Sequence, residues 1–136
     1  MRIDLTRIFR FCPGCGAKGP KAHSKAKHIT CGKCGFDYYH NVASAAGGII
    51  GYGSKILVAI RAVEPKVGMF DFPGGFTDYG ETAEEALARE VREELGIKIK
   101  GAKYLTSAPN VYVYKGVTYA TTDLLFTYRI DNPKSI

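Results

Sequence analysis

The segment at residues 74–96, GGFTDYGETAEEALAREVREELG, joins a glycine-rich loop to one sharply delimited helix. Thr82 with Glu85 three positions later forms a capping box, and Gly96 suits the residue that follows a helix end. With about 100° of rotation per residue, the apolar residues that share one face are Leu87, Val91 and Leu95. We predict a helix over residues 82–95 whose apolar face packs on a β-sheet.

Three glutamates crowd the end of this helix, namely Glu90, Glu93 and Glu94. Charge runs of this kind are usually solvated faces, and the spacing allows Arg89 to pair with Glu85 and Glu93. Glu90 and Glu94, however, border the apolar stripe, where an unpaired carboxylate is costly. A hard divalent cation prefers oxygen ligands, and a carbonyl of the glycine-rich loop could join them. We interpret the cluster as a candidate metal site.

The same residues carry a resemblance to a known family. Residues 75–97 fit the pattern G-x5-E-x7-R-E-U-x-E-E-x-G-U, with U aliphatic, at every fixed position. The preceding GMFDFPGG is similar to the lead-in G-x-W-x-x-P-G-G, with Phe70 where tryptophan is common. The chain therefore resembles the Nudix hydrolases over about residues 43–130. The resemblance implies an enzyme that cleaves the pyrophosphate linkage of a nucleoside diphosphate joined to another group.

Roles for individual residues follow from this resemblance. It implies that catalytic Mg²⁺ or Mn²⁺ is bound by the Gly75 carbonyl, Glu90, Glu93 and Glu94. Glu93 or Glu94 would also orient or deprotonate the attacking water, and Arg89 with Glu81 would form an ion pair that braces the loop–helix junction. Pyrophosphate hydrolysis requires charge neutralisation and a positioned water rather than a covalent nucleophile.

The chain has four cysteines in two C-x-x-C pairs, Cys12, Cys15, Cys31 and Cys34. Two such pairs with fifteen residues between them fit a tetrahedral four-thiolate zinc site. Gly16 and Gly35 follow the pairs and can adopt the positive φ that such turns need. Two disulfides are the alternative, which a reducing cytosol disfavours. We predict a zinc ribbon over residues 1–40 and a Nudix domain over residues 41–136.

The predicted ribbon is strongly basic, with a net charge of +6 in residues 1–40, whereas the rest of the chain is neutral. A module of this size has too small a core to fold without its metal, which favours a structural or dimer-forming role. The alternative is that lysines around the zinc loop contact nucleic acid or an anionic substrate. No aromatic residue alternates with those lysines, and this favours the structural interpretation.

A zinc ribbon directly before a Nudix domain resembles the NADH pyrophosphatase branch, which acts on NAD(H) and NAD-capped RNA. That branch usually carries S-Q-P-W-P-F-P-x-S after the main motif, and here Ser107 and Pro109 remain without the glutamine and the tryptophan. The resemblance implies NAD(H)- or ADP-ribose-like substrates. The alternative is a nucleic-acid-binding or RNA 5′-cap-processing protein on the same fold.

Most of the remaining sequence predicts β-strands. SAAGGIIGYG and KILVAIRA flank a hairpin turn at Gly53–Ser54, and the short run MFDF is stopped by PGG. After the helix, the segments rich in β-branched and aromatic residues are IKIKGAKYLTS, NVYVYKG and VTYATTDLLFTYRI. We therefore expect an α+β fold, a Nudix-type mixed sheet with a prominent loop–helix, preceded by the small zinc ribbon.

Substrate-binding residues are weakly marked. Arg61 on the second strand could meet a phosphate or lie in solvent, and Tyr112 and Tyr114 could stack on a base or simply pack on the sheet. Nudix domains commonly end with a further strand and a C-terminal helix, whereas this chain stops at DNPKSI. We expect either that the helix is truncated or that a partner subunit completes the cleft. Asp123 is the nearest candidate for an acidic residue that many relatives supply late in the chain.

The sequence also bears on location. No apolar run approaches the roughly 20 residues of a membrane-spanning helix. The N-terminal MRIDLTRIFRF lacks the apolar core of a signal peptide. We therefore expect a cytoplasmic protein.

Overall fold

The computed structural model of the chain describes residues 5–23, 27–64 and 66–131. Two units are distinguished within it, Met1–Asn41 and Val42–Ile136. The expectation of a missing C-terminal helix concerns residues 132–136, which lie outside the described residues. No helix in the described ranges is long and apolar enough to cross a membrane.

The N-terminal unit carries a short helix and a three-stranded antiparallel sheet. In chain order these are α1 (Leu5–Ile8), β1 (Lys21–His23), β2 (His28–Thr30) and β3 (Asp37–Tyr39). The middle strand β2 pairs with both neighbours. Among its described residues, the buried apolar side chains include those of Leu5, Cys12, Ile29 and Cys31, which make only a small core.

The second unit is built on a five-stranded mixed sheet. Its elements in chain order are β4 (Ala43–Tyr52), β5 (Lys55–Leu57), β6 (Ala59–Ile60), β7 (Phe70–Asp71), β8 (Gly74–Phe76), α2 (Ala83–Leu95), β9 (Lys103–Tyr114) and β10 (Val117–Arg129). The strand order is β5-β4-β10-β9, with β8 also paired to β4, while β6 and β7 form a separate ribbon. Strands β4 and β10 run parallel and the other pairs antiparallel, which confirms the predicted mixed sheet with one prominent helix.

Helix α2 begins and ends as its sequence predicts. The Thr82 hydroxyl accepts a hydrogen bond from the Glu85 amide, and the Glu85 carboxylate accepts one from the Thr82 amide. Gly96 closes the helix in the left-handed conformation, with φ of 71°. Leu87 and Val91 are fully buried against the sheet, and Leu95 packs on the same core while partly exposed. Because Glu85 is engaged in the cap, the expected ion pair between Glu85 and Arg89 does not form.

One strand prediction is wrong before the loop that enters the helix, and another is confirmed. KILVAIRA is not one strand, because β5 pairs with β4 whereas β6 pairs with β7, and Arg61 comes just after β6. PGG does stop the MFDF strand, because β7 ends at Asp71, but Gly74 then begins the new strand β8 and pairs with Gly47 of β4. The sheet therefore reaches directly into the glycine-rich loop.

A second strand prediction is wrong. The first two segments after the helix form the single strand β9, which begins at Lys103 and continues through Pro109. Pro109 is tolerated because β9 lies at the edge of the sheet, where a missing amide donor costs little. Ile97 and Ile99, read as part of a strand, are instead buried in the core beside the helix end.

Candidate functional site

An ion pair joins the glycine-rich loop to helix α2. The Arg89 guanidinium donates hydrogen bonds to both carboxylate oxygens of Glu81, at 2.6 Å for Nη2–Oε1 and 3.2 Å for Nε–Oε2. Arg89 also donates to the carbonyl of Phe76 at 3.0 Å, and the Asp78 amide donates to Glu81. Hydrogen bonds from Arg89 lower the pKa of Glu81. The loop is thus fixed on the helix by two charge-assisted hydrogen bonds from one guanidinium to one carboxylate, a bidentate geometry that a lysine could not reproduce.

Glu90 lies directly against the loop. Its carboxylate pairs with Arg89 at 2.8 Å, and its side chain is only 17% exposed. A Cβ added to Gly75 would come within 2.4 Å of Glu90 Oε1. Only glycine at position 75 therefore leaves room for the Glu90 carboxylate in this place.

The other two glutamates are more open. Glu93 is 52% exposed and lies 3.4 Å from the Arg89 guanidinium. Glu94 accepts a hydrogen bond from the Gly74 amide at 3.2 Å. Partial burial raises the pKa of Glu94, opposed by the Gly74 hydrogen bond and reinforced by the charges of Glu90 and Asp71. Glu94 as a whole residue is exposed, whereas the desolvation of its carboxylate agrees with the expectation that it borders the buried side.

Among the described residues, these three carboxylates are not drawn together into one cluster that could hold an ion. The physical reason is local, because Arg89 pairs with Glu90 and Glu93 while Glu94 bonds to the loop backbone. The donor set nevertheless fits a hard cation, since it consists of carboxylate oxygens on one helix end. Because Gly75 has no side chain, the loop backbone and the Glu90 carboxylate lie in contact, as they must if both are to bind the same ion. The roles of these residues as metal ligands stay predictions.

A cleft of about 630 Å³ opens on the sheet face opposite the helix core. Alternate strand residues supply its floor, because successive side chains point to opposite faces of a sheet. Those from β4, β9 and β10 are Ala45, Gly47, Asn110, Tyr112, Thr121, Asp123 and Leu125. Glu94, Gly74 and Gly75 also line it. The cleft therefore adjoins the loop–helix junction.

Arg61 lies in this cleft and not in bulk solvent. Its guanidinium pairs with Asp71 at 2.7 Å and its side chain is 22% exposed. A hydrogen bond from Arg61 to Asp71 raises the arginine pKa, and Tyr112 adds to the effect. The ion pair joins the loop after β6 to β7 at the cleft wall.

The two candidate tyrosines differ in position. Tyr112 lines the cleft, with its ring edge-on to Phe76 at a centroid distance of 5.7 Å. Tyr114 stacks on Tyr112 at 6.3 Å and lines a separate depression beside Lys115. Tyr112 is thus placed to meet a ligand in the cleft, whereas Tyr114 is placed next to it.

Sequence reasoning missed two polar residues of the cleft floor and underrated a third. Asn110 and Thr121 face each other across β9 and β10, and Asp123 lies one pleat further along. Asp123 accepts hydrogen bonds from the Asn110 amide and from the Thr121 hydroxyl, both at 2.7 Å. The available signal was the alternation of polar residues within otherwise apolar strands, which is informative only once the register is known.

The four cysteine sulfurs of the N-terminal unit lie within 4.8 Å of one another. The Cys12–Cys34 and Cys15–Cys31 sulfurs are each 3.7 Å apart, and none of the four is in a disulfide. A tetrahedron with Zn–S bonds of about 2.3 Å has sulfurs about 3.8 Å apart. Backbone amides of Cys34 and Lys33 lower the pKa of Cys31 to about 6, whereas the neighbouring thiols and burial raise the pKa of Cys34 to about 12. Cys31 is therefore the sulfur that ionises most readily in the metal-free site. The geometry fits a four-thiolate metal site.

Each cysteine pair lies in a turn closed by glycine. Gly16 donates to the Cys12 carbonyl at 2.9 Å, and Gly35 donates to the Cys31 carbonyl at 3.0 Å. Both glycines have positive φ, 70° and 73°. The two turns are therefore built alike, as expected for a pair of zinc knuckles.

One surface of this unit carries stacked rings. The rings of His23 and His28 stack at 4.4 Å, and His28 stacks on Tyr39 at 4.7 Å. Tyr39 is 55% exposed. The sheet therefore brings an aromatic residue beside the basic zinc loop, which the linear sequence did not reveal.

Comparison with known proteins places this geometry in context. Residues 42–136 match the family profile described as the NUDIX domain. The chain is 34% identical over 105 residues to the NAD-capped RNA hydrolase NudC of Vibrio atlanticus (strain LGP32), covering 77% of this chain and 38% of that protein. It is 39% identical over 107 residues to the protein of the same name from Salmonella heidelberg (strain SL476), covering 78% and 40%. The chain thus spans about two fifths of the length of these relatives.

Solved structures agree on the fold. The crystal structure of a NUDIX hydrolase from Nitrosomonas europaea superposes with a TM-score of 0.67 at 25% identity, covering 92% of this chain and 70% of that one. The MutT NUDIX hydrolase from Burkholderia pseudomallei gives a TM-score of 0.60 at 26% identity, covering 67% and 69%.

Proposed function

The chain belongs to the Nudix family, and from this premise we propose that it hydrolyses the pyrophosphate bond of nucleoside diphosphate derivatives. NAD(H)- or ADP-ribose-like compounds are the favoured substrates, and Mg²⁺ or Mn²⁺ is the favoured cofactor. Two similar proteins bear the name NAD-capped RNA hydrolase, which supports a dinucleotide-type substrate.

One observation carries the proposal most directly. Arg89 connects Glu81 of the loop to Glu90 of the helix, and Gly75 lies within contact of the Glu90 carboxylate. This junction adjoins a cleft large enough for a nucleotide. The arrangement supports a catalytic site in which Arg89 holds the glutamate carboxylates of the helix in a fixed position beside the cleft.

The residues of the junction have separable roles in this proposal. The Gly75 carbonyl, Glu90, Glu93 and Glu94 would hold the divalent cation. When bound, that cation neutralises charge on the diphosphate and lowers the pKa of a water ligand. Glu93 or Glu94 orients the attacking water and accepts its proton. Arg89 and Glu81 act as positioning residues, because they set the loop on the helix.

A nucleotide panel tests the proposal. The purified chain is incubated with NAD⁺, NADH, ADP-ribose, nucleotide sugars and nucleoside triphosphates, each with Mg²⁺ or with Mn²⁺. We expect cleavage of the first three, and a loss of at least about a hundredfold in kcat for Glu93→Gln. Glu84→Gln is the matched control, because Glu84 is an exposed glutamate in the first turn of the same helix. The absence of turnover with every compound would refute the enzymatic proposal.

A second candidate function is RNA binding by the predicted ribbon, residues 1–40. The basic charge of this segment and the exposed Tyr39 of the ring stack favour it. Arginine, lysine and stacked rings suit single-stranded nucleic acid. Affinity for an oligonucleotide should then fall steeply with added salt. No binding at low salt would exclude this function and leave the ribbon as a zinc-bound structural unit.

A further inference from the structure

We propose that Asn110 and Asp123 form a recognition subsite in the cleft for a substrate edge that carries an amino group next to a hydrogen-bond acceptor. Adenine has such an edge, and so does the carboxamide of nicotinamide. The inference rests on the proposed function, because it names the part of the substrate that this cleft selects. It concerns residues outside the loop–helix motif.

The orientation of the Asn110 amide is determined by its two partners. Its Oδ1 accepts a hydrogen bond from the Val111 backbone amide at 2.7 Å. Its Nδ2 must therefore be the atom that lies 2.7 Å from Asp123 Oδ2, where it donates to the carboxylate. A flipped amide would place two acceptors together at Asp123 and two donors together at Val111. The donor end of Asn110 consequently lies beside the carboxylate.

Asp123 is held equally firmly. The hydroxyl of Thr121, which is 3% exposed, donates to Asp123 Oδ1 at 2.7 Å. Each carboxylate oxygen therefore accepts one hydrogen bond from the part of the chain that the structure describes, and each can accept another. Asn110 Nδ2 likewise has a second hydrogen. The pair offers a donor beside an acceptor, both fixed in place before any ligand arrives.

The surroundings leave space above this pair. Asp123 pairs across the sheet with Ala45, and Leu125 pairs with Gly47, so the neighbouring strand contributes only small side chains. All four residues line the cleft. Tyr112, two residues after Asn110 on the same face, adds an aromatic surface. A planar heterocycle can lie here with its edge toward Asn110 and Asp123.

The charge of Asp123 restricts the chemistry of that edge. A carboxylate disfavours phosphates and carbonyl oxygens next to it, and favours an N–H donor. The Asn110 amide complements this with a donor for an adjacent ring nitrogen or carbonyl. Side-chain amides and carboxylates recognise exocyclic amino groups of bases in this way. Nicotinic acid replaces the amino group by oxygen and would meet the carboxylate unfavourably. Hypoxanthine makes the same replacement and also turns the neighbouring ring nitrogen into an N–H donor, so its donor and acceptor stand in the opposite order to those of adenine.

Two pairs of mononucleotides test the subsite in the wild-type protein without requiring turnover. AMP is compared with IMP, and nicotinamide mononucleotide with nicotinic acid mononucleotide, by titration calorimetry. We expect the amino-bearing member of one pair to bind tighter by a factor on the order of 10 to 100. Preference in the first pair assigns the subsite to adenine, and preference in the second assigns it to the carboxamide. No preference in either pair overturns the proposal.

A substitution then connects the preference to the residue. Asp123→Asn keeps the side-chain shape and adds a donor, so the preference should fall at least tenfold while the oxygen-bearing ligand gains affinity. Asp131→Asn makes the same chemical change at an exposed site after β10 and should leave the preference unchanged. Circular dichroism checks that both variants are folded. An unchanged preference in Asp123→Asn, or the same loss in Asp131→Asn, contradicts the assignment.

The alternative role of Asp123 is a late acidic metal ligand, and the same variant separates the two. A ligand role predicts that Asp123→Asn raises the Mg²⁺ concentration needed for half-maximal hydrolysis equally for every substrate. That result, with an unaltered ligand preference, would also overturn the proposal. If the wild-type protein hydrolyses nothing yet prefers AMP to IMP, the proposed function fails and the subsite stands.

Discussion

Gly74 and Gly75 are neighbours in the chain, but a methyl group added to each would meet different atoms. At Gly74 the added Cβ would lie 2.1 Å from the Ala46 carbonyl oxygen and 2.8 Å from the Gly47 Cα. At Gly75 it would meet the Glu90 carboxylate, the far end of a flexible side chain, at 2.4 Å. The first obstacle is paired backbone that cannot move, whereas the second can rotate away. We therefore predict that alanine at position 74 lowers stability, whereas alanine at position 75 alters metal binding.

Gly74→Ala should act on stability. Gly74 has φ of 149°, a conformation that costs other residues about 1–3 kcal/mol. Relief of the clash with Ala46 adds an overpacking cost of about 1–3 kcal/mol. For a domain of this size, each kcal/mol lowers the melting temperature by about 4–8 °C. We expect Gly74→Ala to melt at least about 8 °C below the wild type.

Gly75→Ala should act on metal binding and leave the fold intact. Gly75 does not have positive φ, so alanine is compatible with the backbone and removes about 0.4–1 kcal/mol of unfolded-state freedom. Glu90 must leave its position against the loop, and with it a predicted ligand of the cation. We expect a melting temperature within a few degrees of the wild type, together with a higher Mg²⁺ requirement for hydrolysis.

Two assays on the same samples separate these outcomes. Thermal unfolding followed by circular dichroism gives the change in stability, and hydrolysis at increasing Mg²⁺ gives the metal requirement. A Gly74→Ala protein that melts with the wild type would refute the backbone clash. A Gly75→Ala protein with an unchanged Mg²⁺ titration would refute the role of the Gly75–Glu90 contact.

Two further predictions concern the cysteine site and the loop–helix ion pair. Cys31→Ser should abolish the zinc content measured by mass spectrometry, expected at one ion per chain, whereas Lys33→Ser in the same turn should retain it. Arg89 lowers the pKa of Glu81 below its ordinary value of 4.5. The ion pair between Glu81 and Arg89 therefore stabilises the folded protein fully above that pH, and this contribution is lost as the pH falls through the lowered pKa of Glu81. The difference in melting temperature between the wild type and Glu81→Gln should therefore be large at pH 7 and shrink below pH 4.5; a difference independent of pH would contradict it.

The parts of the structure that could be predicted are those with local signals. Thr82, Glu85 and Gly96 determine the ends of α2 within one turn on either side, so the helix follows from the sequence. The turns at the cysteine pairs are equally local, since Gly16 and Gly35 each close a turn over four residues. In both cases the hydrogen-bond partners are near neighbours in the chain.

The parts that could not be predicted depend on distant partners. Gly74 belongs to a strand only because it pairs with Gly47, and glycines carry no strand signal of their own. Arg61 enters the cleft because Asp71 holds it, across a ribbon of two short strands. Asn110 and Asp123 meet through the register of two long strands, which a shift of one residue would reverse.

The small residues of β4 connect the fold to the position of the site. A Cβ on Gly48 would lie 3.0 Å from a methyl group of Leu87, so α2 packs on the strand at a distance that leaves little room for a larger residue. On the opposite face, a Cβ on Gly47 would lie 3.1 Å from Leu125 in the cleft. The close approach of α2 is what brings Glu94, at its last turn, within hydrogen-bond distance of the Gly74 amide. A larger residue at position 48 should therefore move the helix outward and carry the three glutamates away from the cleft in which the proposed diphosphate substrate would bind.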